Sequence, residues 1–318
     1  MTAGLGSRGT VSVGGASSDM LRGALASPGL CIDLGAAVMR VRSNVPALVP
    51  AVQAVYAEHR LVTSADFIDL HIDILRPGGP RRWLRPQAVL HCDGGAPFDP
   101  FPAANALPLL EWGANWLIGQ RMNHLLLLHA GALEKDGCAL LLPALPGSGK
   151  STLTAAMSLR GWRLLSDEFG AWDPRAPGFR AMLKPVALKN ESIGVIRRFA
   201  PAAPIGPEFP KTRKGTVAHL AADATAVARR HEVVRPGAFI LPRWQAGSAL
   251  HLEPIDPQAL FGALAFNAFN YRLLGQTGFD AVVHLVRRCP AWQLVYSDLD
   301  EAIAAIDRLW PSVVERGS

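Results

Sequence analysis

Residues 141–168 read LLPALPGSGKSTLTAAMSLRGWRLLSDE, and the order of these pieces decides the fold class. An apolar run of strand length leads into a glycine-rich loop, then a helix-forming run, then a second apolar run that ends in acid. ALPGSGKS (144–151) fits the P-loop pattern, with Ala144 in place of the first glycine. Backbone N–H groups must curl around phosphate oxygens in such a loop, and a Cβ at Gly147 or Gly149 would obstruct that approach. Lys150 offers a charge to β- and γ-phosphates, and the Ser151 hydroxyl offers Mg²⁺ an oxygen. The loop from Ala144 through Pro146, Gly147, Ser148 and Gly149 to Lys150, Ser151 and Thr152 is thus the expected phosphate site. The helix that opens there adds the positive end of its dipole.

Asp167 follows Lys150 by 17 residues. With Glu168 it sits where an acid at the end of a neighbouring strand can ligate the metal or take a proton from an attacking hydroxyl. His129 ends the leucine run 125–128, on a strand expected beside the one that feeds the loop, so its imidazole can approach the transferred group. Further along, PEFPKTRKGTVAHL (207–220) places Lys211, Arg213 and Lys214 before a strand. Arg213 and Lys214 are candidates to neutralise charge at the nucleotide, as an arginine finger does; the alternative is a solvated basic face.

Around this centre the chain reads as an α/β protein. FIDLHIDIL (67–75) alternates as a half-buried strand does, WLRPQAVLHC offers another, and the apolar spacing between Pro46 and His59 predicts a helix. ANALPLLEWGANWLIGQRM has helical spacing, and Asp136-Gly137 marks a hairpin between LLLLHAGAL and CALLLPAL. Strands are expected at GTVAHL, GAFILP, ALHLEPI and WQLVYS. Helices are expected over Pro257–Leu274, Phe279–Arg288 and from Ser297 or Asp298 onward. Asn267, Asn270 and Tyr271 fall on the first of these at a spacing that packing alone explains. The expected organisation is a flexible leader over 1–28, a small α+β unit over 29–100 and a catalytic domain over 101–318. DGGAPFDPFP serves as linker, and removal of residues 1 to about 25 is expected to leave folding intact.

Of the 318 residues, 49% are hydrophobic and 18% charged, which excludes an overall disordered polymer. The leader lacks the apolar core of a secretory signal, and the apolar runs are far shorter than a bilayer span, so a cytoplasmic protein with no membrane partner is expected. The four cysteines are scattered without C-x-x-C pairing, which signals neither zinc nor a disulfide framework. The net charge of +6 suits an anionic ligand. Its basic doublets, among them Arg81-Arg82 and Arg229-Arg230, form no stripe interleaved with aromatics, which argues against nucleic acid.

The combination HAGALEKDGCALLLPALPGSGKSTLTAAMSLRGWRLLSDE resembles the catalytic core of the HPr kinase/phosphorylase superfamily, with a histidine, the loop and an R-G-[HW]-R-L-x-[AS]-D-[DE] motif in order. EWGANW, LKNESI, TRKGTVAHL, LPRW, FNY and YSDLDEAI extend the likeness to the HPr-kinase-related kinases of type A, over nearly the whole chain. The resemblance implies a P-loop kinase core of HPr-kinase/carboxykinase-like type, with a small N-terminal α+β unit and C-terminal helices. It also implies ATP- and Mg²⁺-dependent phosphorylation of a hydroxyl, typically a serine of a protein or peptide. On that analogy Asp167 is the general base, His129 lies by the transferred group, and Ser151, Asp167 and Glu168 face the metal. KNESIGVI (189–196) departs from the signature tied to the reverse reaction, so no phosphorylase activity is expected. A nucleotide-gated switch with weak ATPase activity and a small-molecule kinase stay open as alternatives, as does a homo-oligomeric state.

Overall fold

The structure is a computed structural model that describes residues 11–79, 84–145 and 147–316. Residues 1–10 of the expected leader, the Arg81-Arg82 doublet and Pro146 lie outside the described residues. The protein is mixed α/β, with several sheets and helices in two compact units. The first comprises the chain up to Arg121 with Ala187–Gly194 and Ala202–Ala228; the second comprises Met122–Val186, Val195–Pro201 and Arg229–Ser318.

In the first unit a five-stranded sheet has the order β1 (Leu30–Asp33), β2 (Val38–Ser43), β3 (Leu70–Leu75), β4 (Gln87–His91), β5 (Phe101–Pro102). Only the β2–β3 pair is parallel, and helix α2 (Leu48–Val55) lies in the connection between those strands. Along β3 buried Leu70, Ile72 and Ile74 alternate with more exposed residues, the period-2 pattern of a strand with one face in the core. Helix α3 (Ala106–Arg121) packs on β3 and β4. The Tyr56 hydroxyl donates to Glu111 Oε1 at 2.6 Å across the α2–α3 contact. Burial pushes the Tyr56 hydroxyl far above its ordinary range, and the Glu111 charge adds to this. A second sheet of three strands has the order β11 (Val186–Lys189), β13 (Gly215–Leu220), β12 (Phe209–Thr212).

Two expectations fail in this unit. Residues 11–28 are no flexible leader: Ser17 caps α1 (Ser18–Ala26), and Val13, Leu21 and Leu25 are buried. The N–H of Val13 donates to His59 O at 2.7 Å and that of Gly14 to Ala57 O at 2.9 Å, tying the segment down before α1 begins. Polar, glycine-rich composition hid this because only a few apolar side chains are spent, at positions that tertiary contacts select. Nor does DGGAPFDPFP mark a boundary. Cys92 and Gly95 exchange backbone hydrogen bonds, β5 pairs with β4, and the unit runs through α3 to Arg121.

The second unit is built on one sheet in the order β10 (Gly178–Arg180), β9 (Phe169–Asp173), β6 (Leu126–Lys135), β7 (Cys138–Pro143), β14 (Arg235–Trp244), β16 (Ala291–Tyr296), β15 (His251–Pro254). Strand β8 (Arg163–Ser166) pairs with the far half of β6. The β6–β7 hairpin turns at Asp136 and Gly137, both with positive φ, as a tight two-residue turn requires. Strands β7, β14 and β16 run parallel. The six residues of β7 are all buried, the continuous apolar run of a strand covered on both faces.

After the loop, α4 (Lys150–Ser158) packs against β6, β7 and β8. The approach is close at Gly131, where a Cβ would stand 2.2 Å from Thr154 Oγ1. Gly131→Ala should therefore force the buried Thr154 side chain off its rotamer or α4 away from the sheet and cost about 1–3 kcal/mol, read as a lower denaturant midpoint with an unchanged slope. No change in midpoint would show that Thr154 or α4 can give way freely.

The helix expected over Pro257–Leu274 is broken. Helix α5 (Pro257–Asn267) ends where Ala268–Asn270 aligns with β6, and a short turn at Tyr271–Leu274 precedes α6 (Gln276–Arg288). The cause is Asn270, whose Oδ1 accepts from Leu127 N at 3.0 Å while its Nδ2 donates to Leu125 O at 2.8 Å. A side-chain amide that imitates a strand partner satisfies the edge backbone better than another helical turn would. The final helix, α7 (Leu299–Arg316), opens as expected, with Asp298 Oδ1 accepting from Glu301 N. The four cysteines are free and buried, and burial raises each thiol above its ordinary range, Cys289 to about 12. Among the described residues no helix is long and apolar enough to cross a membrane.

Candidate functional site

The site is built at the carboxyl end of β7. Pro143 closes the strand, Ala144 is buried, and the chain then turns through Gly147 (φ +87°) and Gly149 (φ +88°). Both angles lie in the left-handed region that favours glycine. The two glycines also differ in surroundings. A Cβ at Gly147 would meet nothing within 4 Å, leaving that backbone open to a ligand. At Gly149 it would lie 2.7 Å from the Tyr296 hydroxyl and 2.9 Å from Trp244 Cβ, so here the absent side chain lets two strands close on the loop.

Gly149 caps α4, and the first bond inside the helix is Leu153 N–H to Gly149 O at 2.9 Å. The amides of Lys150, Ser151 and Thr152 precede that bond, so the first turn presents donors at the positive end of the dipole. Ser148 N–H donates to Leu145 O within the loop, and the Ser148 hydroxyl is buried without a hydrogen bond.

The acids reach the loop through the next strand. All four residues of β8 are buried, and the Ser166 hydroxyl accepts from the N–H groups of Glu168 and Phe169, which shapes the turn into β9. Ala130 N–H donates to Glu168 O, anchoring that turn to β6. Asp167 is thereby held 5% exposed, against Lys150 at 8%. The Lys150 ammonium donates to the Asp167 main-chain carbonyl and stands 3.7 Å from its Oδ1. That carboxylate oxygen accepts no hydrogen bond. Because β6 pairs with both β7 and β8, it lies between them, and the acid belongs to the second strand over.

His129 lies on β6, one residue before Ala130, which pairs with Pro143 at the end of β7. The expected adjacency of its strand to the loop strand is therefore present. Its Nε2 is 3.6 Å from Glu168 Oε1, and its ring lies 5.5 Å from that of Phe269. So Lys150 and Asp167 meet directly, His129 and Glu168 form a second pair, and Asp167-Glu168 joins the two. Ser151 and Thr152 flank Lys150 on the first turn of α4.

Arg213 and Lys214 lie in the first unit. The Arg213 guanidinium donates to Asp99 Oδ2 at 2.8 Å and stacks 5.5 Å from the Trp112 ring, with the Lys214 ammonium 5.9 Å from the same ring. Asn190 is spent on the same region: Oδ1 accepts from Thr216 N–H and Nδ2 donates to Lys214 O, a structural clasp on the β12–β13 turn.

Sequence reasoning missed three residues that position this site. Asn270 secures the start of β6, on which His129 sits. The Tyr296 hydroxyl donates to Gly149 O at 3.3 Å, and Trp244 N–H donates to Ser148 O at 2.9 Å. The available signal was positional: Trp244 and Tyr296 end two strands that run parallel to the one feeding the loop. Compared with known proteins, the chain matches no protein-family model, and no curated protein matches it. The site itself joins a strand, a glycine loop and a helix to a buried lysine–aspartate couple.

Proposed function

We propose that the protein is an ATP-dependent phosphotransferase that moves a γ-phosphoryl group to a hydroxyl, a serine of a protein or peptide being the favoured acceptor. The observation that carries this reading is the buried couple of Lys150 and Asp167 beside the glycine loop, with Asp167 Oδ1 free to accept a hydrogen bond. The loop backbone and the first turn of α4 would hold the phosphates, and Lys150 would offset charge on the β- and γ-oxygens. The donor set suits a hard cation, since Ser151, Asp167 and Glu168 offer oxygen ligands. Bound Mg²⁺ would supply positive charge that offsets the phosphates.

Asp167 takes the proton as the acceptor oxygen bonds to the γ-phosphorus, and the bond to the β–γ bridging oxygen breaks to release ADP. An acid with oxygen valence to spare suits this role better than one tied up in hydrogen bonds. His129 and Glu168 stand 3.6 Å apart next to Asp167 and would orient the transferred group. The motif likeness to HPr kinases supports a serine acceptor in a cytoplasmic, ATP-rich setting, and the altered KNESIGVI stretch supports a forward reaction only.

The test is transfer of label from γ-labelled ATP into size-fractionated extract of the source cells. Label in a peptide or protein band is expected and would hand over the acceptor for mass spectrometry. Label in a metabolite fraction would assign a small-molecule kinase, and label released only as free phosphate would favour a nucleotide-gated switch.

A further inference from the structure

Three strands of the second unit, β7, β14 and β16, run parallel side by side, so their carboxyl ends lie together. In open parallel sheets this is the edge at which ligands bind. One end becomes the glycine loop, the next finishes at Trp244 and the third at Tyr296. Tyr296 is buried, whereas Trp244 remains 51% exposed.

Although exposed, the residue is firmly held. Its N–H donates to Ser148 O at 2.9 Å, its Cβ backs onto Gly149, and its indole Nε1–H donates to Ser297 O at 3.2 Å. The indole is thus fixed at both ends, with its only polar atom satisfied by the fold. Trp162, Trp172 and Trp310 are buried, whereas Trp244 presents about half of its surface to water. Here a rigid aromatic surface meets water immediately beside the loop. Such a surface suits a flat ring, because stacking needs a π-face and little rotational freedom.

We infer that the indole of Trp244 is the platform on which the base of the bound nucleotide stacks. This rests on the phosphate-loop reading and extends it to the nucleoside end of the ligand. The loop then grips the polyphosphate and Trp244 the base, two contacts that can be measured apart.

The experiment is calorimetric titration of wild type, Trp244→Ala, Trp244→Phe and Lys150→Ala with ATP and with inorganic tripolyphosphate, each with Mg²⁺. Thermal melts check that the variants are folded. Wild type is expected to bind ATP more tightly than tripolyphosphate. Trp244→Ala should weaken ATP by about tenfold or more, as loss of one base–aromatic stack does, and leave tripolyphosphate unchanged. Trp244→Phe should keep most of the ATP affinity, and Lys150→Ala should weaken both ligands. Equal ATP affinity in wild type and Trp244→Ala would overturn the proposal. So would equal losses for both ligands, which would show that Trp244 only shapes the loop. A wild-type chain that binds neither polyanion would remove the phosphate-loop reading and this proposal with it.

Discussion

Asp167→Asn is expected to lower phosphate transfer by about two to four orders of magnitude, the usual contribution of a positioned general base. ATP affinity should stay within about twofold of wild type, a change of less than 0.5 kcal/mol. The separation follows from the geometry of the couple. Lys150 hydrogen-bonds to the main-chain carbonyl of Asp167, which the substitution leaves in place; the 3.7 Å ion pair is lost, and the amide keeps one oxygen for a metal ligand. Lys150→Ala should behave differently. On the proposed reading it removes a charge-assisted contact to phosphate worth about 1.5–3 kcal/mol, so affinity itself should fall by about one to two orders of magnitude. Single-turnover transfer together with ATP titration separates the two variants. Transfer by Asp167→Asn at the wild-type rate would disprove the base assignment.

The second large effect is on stability. A chain that starts at residue 27 is expected to lose the fold of the first unit, because it lacks Val13, Leu21 and Leu25, all at most 1% exposed. Burial of three such side chains contributes about 6 kcal/mol at roughly 2 kcal/mol each, which is comparable with the whole stability of many domains. The truncation also leaves the His59 and Ala57 carbonyls without the donors they now bind. Leu21→Ala alone should cost about 2–5 kcal/mol. Chemical denaturation with circular dichroism reads both effects, and an unchanged midpoint in the truncated chain would restore residues 11–26 to the status of a dispensable leader.

The pattern of what was legible is clearest on single elements. The β6–β7 hairpin could be read from Asp136-Gly137 because positive φ at two successive positions is a property of the residues themselves. The strand, loop, helix and acid order of 138–168 could be read for the same reason, since each signal lies within a few residues of the next. The helix over Pro257–Leu274 was misread because the stop comes from elsewhere. Asn270 bonds to Leu125, 145 residues away, and no local propensity anticipates a side chain substituting for a strand.

The sequence by itself determined the mixed α/β class and the glycine loop with Lys150, Ser151 and Thr152, because glycine chemistry and hydrophobic period act locally. Only the tertiary structure decided that residues 11–28 belong to a core and that Asp167 is buried with an oxygen to spare. It also decided that Trp244 stands exposed beside the loop. Each of these depends on which distant segments close on one another. Burial and unspent hydrogen-bonding capacity are properties of that closure, and no residue carries them alone.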